Sequence, residues 1–398
     1  MVPSGGGRAL YLARNVARPS TMPDTRIRAI VSGALLDASG AAEGYVALDA
    51  AGRIVERGSL GAEGRRRASI PRYRGIVLPS LVNAHTHLGD SVWLAEPPRG
   101  SLADIVAPPQ GLKHRLLRET PPGAKQQGMR RSLLEMSQLG IRVTLDFREE
   151  GLEGALLLRK AARGTGVRPF VLGRPTRTPL SRSELRTLLP HLDGVGLSAV
   201  RDVGIEVATG VAQECHRQGK WLALHVSEEV REPLDPILAL SPQLLVHMCA
   251  ATPSDLDAVA QARIPVAVSA RANQLFGRAP PLAAMEARGI RILLGTDNAM
   301  FQPPDLFREM AFAYLLSRGM GAPVTPRTLV EAACITPWEV LGDPSAAQLE
   351  PGSHARALAL RLPPQDPYYQ VCGRASERNL LALARSPQGP DRERGGAL

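Results

Sequence analysis

Lysine is scarce in this 398-residue chain, which carries four (Lys113, Lys125, Lys160 and Lys220), although Lys and Arg together number 48 and the net charge is +10. Arginine therefore supplies nearly all the positive charge. With 38 Gly and 34 Pro beside abundant Ala, that skew reads as GC-rich codon usage and not as a phosphate-binding surface. Aromatic residues are also thin, at 4%, and none interleave the basic cluster Arg65-Arg66-Arg67. Bases would have little to stack on; a solvated basic surface is expected and no nucleic-acid partner. The four cysteines (Cys215, Cys249, Cys334, Cys372) are scattered and form no Cys-x-x-Cys pair. They fit reduced thiols of a cytoplasmic protein better than a disulfide framework. No apolar run approaches the roughly 18 residues of a membrane span, so no membrane partner is expected.

What the chain does have is length enough for a large core and a clear change of texture along it. Residues 1–26 are rich in Gly, Arg and Pro without periodicity, and are expected to lack fixed structure. Arg8, Arg14 and Arg18 precede the first acid, Asp24, superficially like a transit peptide; Met22 is an equally good start. Residues 27–75 alternate short apolar stretches with Gly and Asp turns and predict a small β-structure. Gly75-Ile-Val-Leu78 reads as a buried strand running on to His85 and His87. The Pro/Gly-rich segment 89–125 reads as a long loop over whatever lies at that strand's end. From about Pro122 helices and apolar strands alternate, giving eight strands across residues 76–297. Continuous apolar strands between helices imply a parallel sheet covered on both faces. Eight βα units predict a TIM-type (β/α)8 barrel, here assigned to residues 76–348. A doubly wound open sheet would call for a glycine-rich phosphate loop that is absent. Residues 349–385 return to β character and are expected to join 27–75 as one discontinuous β-domain, with 386–398 a disordered tail.

In such barrels the active site lies at the C-terminal ends of the strands. His85 and His87 end strand 1, and being two apart on a strand they face the same side. His225 ends strand 5, His247 strand 6 and Asp297 strand 8. Any one of these histidines is as readily a satisfied core residue. Five metal-ligand types on one rim, from four strands, point to a metal site. Substrate-contact candidates are the loop residues Lys113 and His114 and the residues beyond strand ends, Arg148, Arg271, Asn273 and Asn298. Each reads equally well as a cap or surface pair.

The pieces Pro79-Ser-Leu-Val-Asn-Ala-His-Thr-His87, His225-Val-Ser-Glu228, His247-Met-Cys and Leu294-Gly-Thr-Asp297-Asn-Ala resemble the amidohydrolase superfamily, over about residues 28–373. Glu228, three residues past His225, resembles the mononuclear deaminase and chlorohydrolase branch. Binuclear members commonly carry a carboxylated lysine on strand 4, and Gly194-Val-Gly-Leu-Ser-Ala-Val has none. The resemblance implies one divalent ion, Zn²⁺ with Fe²⁺ as alternative, on His85, His87, His225 and Asp297. His247 would orient the attacking hydroxide, Asp297 would accept a proton, and Glu228 would protonate a ring nitrogen, which calls for a carboxyl pKa raised by burial. The expected activity is deamination of a small nitrogen heterocycle. Amide, lactam or halide hydrolysis is the alternative within enzymes, and a non-catalytic scaffold the alternative outside them. The resemblance is also compatible with a homodimer.

Overall fold

The computed structural model describes residues 27–62, 70–93, 99–107, 110–175, 182–353 and 356–381. The expectations for 1–26 and 386–398 lie outside them. A five-stranded sheet takes β1 (Ala29–Asp37), β2 (Gly40–Leu48), β3 (Ile54–Gly58) and β4 (Arg72–Pro79) from one end of the chain and β14 (Ala357–Leu360) from the other, in the order β14-β4-β1-β2-β3. Val31, Leu35, Val46, Val77 and Ala359 interleave in a core of its own. Gly75 is required where β4 is squeezed between neighbours, since a Cβ there would lie 2.1 Å from the Leu360 carbonyl oxygen.

The strand that carries His85 and His87 is therefore not the Gly75–Leu78 run. That run belongs to β4, paired with β1 and β14. At Ser80 the backbone changes partners: Ser80 donates to the Arg356 carbonyl, and Leu81 to that of Gly140. From there β5 (Leu81–His87) starts the second sheet. Only Pro79-Ser80 separates the two buried strands, too short a break to read as a turn, so one continuous run was the natural reading.

The second sheet proceeds through β6 (Ile141–Arg148), β7 (Arg168–Gly173), β8 (Gly194–Leu197), β9 (Trp221–Val226), β10 (Leu244–His247), β11 (Val266–Val268) and β12 (Ile292–Leu294), each parallel to the last. Just beyond β12, the two residues of β13 (Asp297–Asn298) pair with β5. The sheet thus returns to its first strand, a TIM-type barrel. Gly295 permits the closure, because a Cβ there would stand 2.5 Å from that of His85.

Two helices, α1 (Leu102–Val106) and α2 (Leu112–Glu119), lie within the loop expected at 89–125, and the first helix of the expected alternation follows as α3 (Pro122–Gln138). Ser101 and Asp104 cap α1 reciprocally, and Pro122 opens α3 where its missing N–H costs nothing. Residues 326–341 form two helices, Pro326–Cys334 and Thr336–Val340, Pro337 having no N–H to continue the ladder. Within the β segment expected over 349–385, the described strand is Ala357–Leu360, and Pro367–Arg374 is a helix that buries Val371 and Cys372. No helix among the described residues is long and apolar enough to cross a membrane.

Candidate metal centre

Each donor stands where a barrel strand stops. His85 and His87 close β5, His225 lies one residue from the end of β9, His247 ends β10 and Asp297 opens β13. Ligand atoms of His85, His87 and His225 lie within 4.8 Å of one another, as do those of His85, His247 and Asp297. Asp297 Oδ1 is 3.3 Å from His85 Nε2 and 3.7 Å from His87 Nε2. His247 and Asp297 both have positive φ, 76° and 61°, a conformation that sits outside ordinary strand geometry and is retained where a side chain must be aimed. Phe147 packs its ring 4.5 Å from that of His85 and 4.9 Å from that of His225, giving the cluster an apolar wall.

The hydrogen bonds assign the tautomers. His225 Nδ1 is 2.7 Å from the Leu197 carbonyl, which can only accept, so Nδ1 carries the proton and Nε2 presents a lone pair. His87 Nδ1 donates to Glu149 Oε1 at 2.8 Å with the same result. Glu149 stays ionised: burial pushes its pKa up, but Lys113, His87 and Arg148 around it hold it well below the usual range. His247 differs. Its Nδ1 faces the Asn273 amide nitrogen at 3.0 Å, which leaves the proton on Nε2, 3.5 Å from Glu228 Oε2. His247 is therefore set up as a donor to oxygen, and His87 and His225 as lone-pair ligands.

Burial, with Asp297 only partly opposing it, lowers the His85 pKa. Burial and then Lys113 bring His87 down to about 3, and burial and then His85 hold His225 well below its ordinary value. All three are neutral at pH 7, the form that binds metal. Asp297 is kept ionised because His85, His247 and His87 outweigh its burial. Burial raises Glu228, with Asp297 and Glu229 adding to the rise. Both ring nitrogens of His85 are buried without a hydrogen-bond partner, although buried polar groups are ordinarily satisfied. A divalent ion among these nitrogens and the Asp297 carboxylate fits that orphaned ring and the donor set.

The six expected substrate contacts are differently engaged. Lys113 is buried with its Nζ 2.6 Å from Glu149 Oε1, so α2 reaches down to the carboxylate that holds His87. His114 places Nε2 3.1 Å from the Val106 carbonyl. Arg148 is fully buried against Glu149 (2.5 Å) and Asp146 (3.4 Å), and Arg271 pairs with Glu309 at 2.7 Å. Asn273 serves His247, and Asn298 donates to Asp90 Oδ2 at 2.7 Å. These side chains brace the walls of the site; Arg148 in particular has no surface to offer a ligand. Sequence reasoning missed Asp90, whose carboxylate also accepts from the Met300 N–H and so ties the end of β5 to the turn after Asp297. A carboxylate three residues past His87 was the available signal. Glu232 accepts from the Ser227 and Arg201 N–H groups and fixes the turn from which Glu228 projects. A cavity of about 990 Å³ lined by Trp221, Gln243, Pro265 and Arg291 lies at the other end of the barrel, where strands begin, and includes none of the five donors.

The fold and the buried donors at its C-terminal rim define a barrel of the metal-assisted hydrolase class. The chain belongs to the amidohydrolase family, whose profile matches residues 76–384. A relative from Methanothermobacter thermautotrophicus, provisionally named an aminohydrolase, is 33% identical over 327 residues, covering 77% of this chain and 85% of its own. A 5-methylthioadenosine/S-adenosylhomocysteine deaminase of Desulfovibrio desulfuricans is 27% identical over 44% of this chain and 42% of its own. Among solved structures, a zinc-bound adenosine deaminase from Xanthomonas campestris superposes with a TM-score of 0.72 at 18% identity, covering 89% of this chain and 90% of that one. The zinc complex of an atrazine chlorohydrolase from Arthrobacter aurescens gives 0.70 at 19%, covering 90% and 94%. The family assignment makes the protein a hydrolase.

Proposed function

We propose that the protein is a hydrolytic deaminase of a small nitrogen heterocycle, dependent on one divalent ion, Zn²⁺ or else Fe²⁺. His85, His87, His225 and Asp297 would hold that ion, which when bound lowers the pKa of water from 15.7 to about 7 and so makes a nucleophile available at neutral pH. The remaining work belongs to the chain. Asp297, ionised beside three imidazoles, accepts a proton from the attacking water. Glu228, whose pKa burial raises, gives a proton to the ring nitrogen next to the attacked carbon, which makes that carbon electrophilic. His247 donates from Nε2 to the oxygen that adds there. Asp297 then passes its proton to the amine, the C–N bond breaks and ammonia leaves, and the remaining proton on the added oxygen returns to Glu228 as that oxygen becomes the ring carbonyl.

The observation that carries this reading is the pairing of an acid with a donor outside the ligand set, Glu228 Oε2 standing 3.5 Å from His247 Nε2. The provisional aminohydrolase name of the archaeal relative supports it. The test begins with metal content per chain in wild type and His85→Ala, followed by ammonia release from aminated heterocycles. One equivalent lost in the variant, with ammonia from wild type, is expected. Chloride or carboxylate release without ammonia would move the assignment to a halide or amide hydrolase. A protein that takes up no metal would be a scaffold.

A further inference from the structure

Arg174 is a cation at the rim of the site that has no counter-ion among the described residues. It follows β7 directly, its N–H bonded to the Arg148 carbonyl at 2.7 Å. Its guanidinium makes a single long contact, Nε to the Gly196 carbonyl at 3.5 Å, and no ion pair among the described residues. The next carbonyl of β8, that of Leu197, receives His225 Nδ1. Successive carbonyls of a strand point to opposite neighbours, so Arg174 and His225 flank the end of the same strand.

The charges nearby do not neutralise it. Glu149 already meets Lys113, Arg148 and His87. Asp146 accepts from the Leu88 N–H and faces Arg148, while Asp202 lies 3.6 Å from Arg201. Asp146 and Glu149 are each engaged by other groups, and neither forms an ion pair with the Arg174 guanidinium. Arg174 is only partly exposed, and burial lowers its pKa, with Glu149 and Asp202 only partly compensating. A part-buried cation without a partner is costly, and a planar guanidinium is suited to two-pronged contact with an oxyanion.

We propose that Arg174 binds an oxyanion substituent of the substrate, a carboxylate or a phosphate, so that the heterocycle turned over carries a negative charge away from the reacting amine. This rests on the deaminase reading for the word substrate, but the anion site itself does not. Charge far from the reacting centre would add binding energy and orient the ring.

Two measurements separate the claims. The first is titration of the metal-loaded protein with inorganic phosphate and with acetate, in wild type, Arg174→Gln and Arg174→Lys. Saturable binding that is weakened about 10- to 100-fold in Arg174→Gln and partly kept in Arg174→Lys is expected. The anion bound more tightly identifies the substituent. Equal affinity in wild type and Arg174→Gln, or no saturable binding in wild type, overturns the proposal. The second is ammonia release from paired neutral and anionic forms of the same aminated heterocycles. A preference for the anionic form that disappears in Arg174→Gln supports the proposal. Equal kcat/KM for both forms overturns it and leaves the deaminase reading intact. Arg174-dependent anion binding with no ammonia from any compound would keep the anion site and remove the deaminase reading.

Discussion

Glu228 acquires its character from a turn three residues long. The chain leaves β9 through Ser227, whose φ is 48°, and Glu232 clamps that turn, so the Glu228 carboxyl is carried back over His247. Replacing it by Gln keeps the shape and removes the transferable proton. Glu228→Gln is expected to lower kcat by about 10²- to 10⁴-fold with KM little changed, measured as ammonia release. The pH dependence has a definite sign. The carboxyl pKa is raised in the fold, so the acid form persists above its usual range and activity falls as pH rises through that raised value; this limb should be absent from the residual activity of the variant. Stability follows the same sign. A raised carboxyl contributes nothing adverse below its unfolded pKa of about 4.3, and the folded state loses stability as pH rises through the raised one. Glu228→Gln should therefore melt higher than wild type by a margin that widens as pH rises from about 4.3 toward the raised pKa, by calorimetry. A margin that shrinks over that range would sink the assignment. At this scale the sequence was most legible for the donors, because strand ends and residue types suffice to pick out His85, His87, His225, His247 and Asp297. It was least legible for Arg148 and Arg271, whose partners Asp146, Glu149 and Glu309 are chosen by packing.

At the scale of elements, the telling connection runs from α2 through Lys113 to Glu149 and on to His87. Glu149→Gln removes the charge that anchors the His87 tautomer. It should weaken metal binding about 10- to 100-fold, the usual effect of losing the group behind a ligating histidine, read by competition with a chromophoric chelator. Lys113→Met should speed amide exchange in Leu112–Glu119 while leaving β6 unchanged, by hydrogen exchange with mass spectrometry. An unchanged α2 would mean that Lys113 does not hold it. The barrel alternation was legible because buried parallel strands are continuous apolar runs between amphipathic helices. The helices over the site were not, because α1 and α2 are short and sit among prolines and glycines that ordinarily mark loops.

For the whole molecule, the five donors come from strands spread over more than two hundred residues, and a ligand that binds only their folded arrangement stabilises the fold by mass action. Chelation should lower Tm, with about 2.7 kcal/mol lost if free metal had stood at a hundred times its Kd; stoichiometric Zn²⁺ should restore it. His85→Ala should melt at the same temperature with and without chelator. The sequence by itself determined the parallel barrel, the rim on which the chemistry falls, and the residue types gathered there. Periodicity and strand ends are local properties that residue order expresses directly. Only the tertiary structure decided that β4 leaves for the other sheet at Ser80, which imidazole nitrogens carry protons, which cations form ion pairs, and that Arg174 forms none among the described residues. Those depend on which groups meet across the barrel, and Coulomb and hydrogen-bond energies act on distance in space, to which separation along the chain is a poor guide.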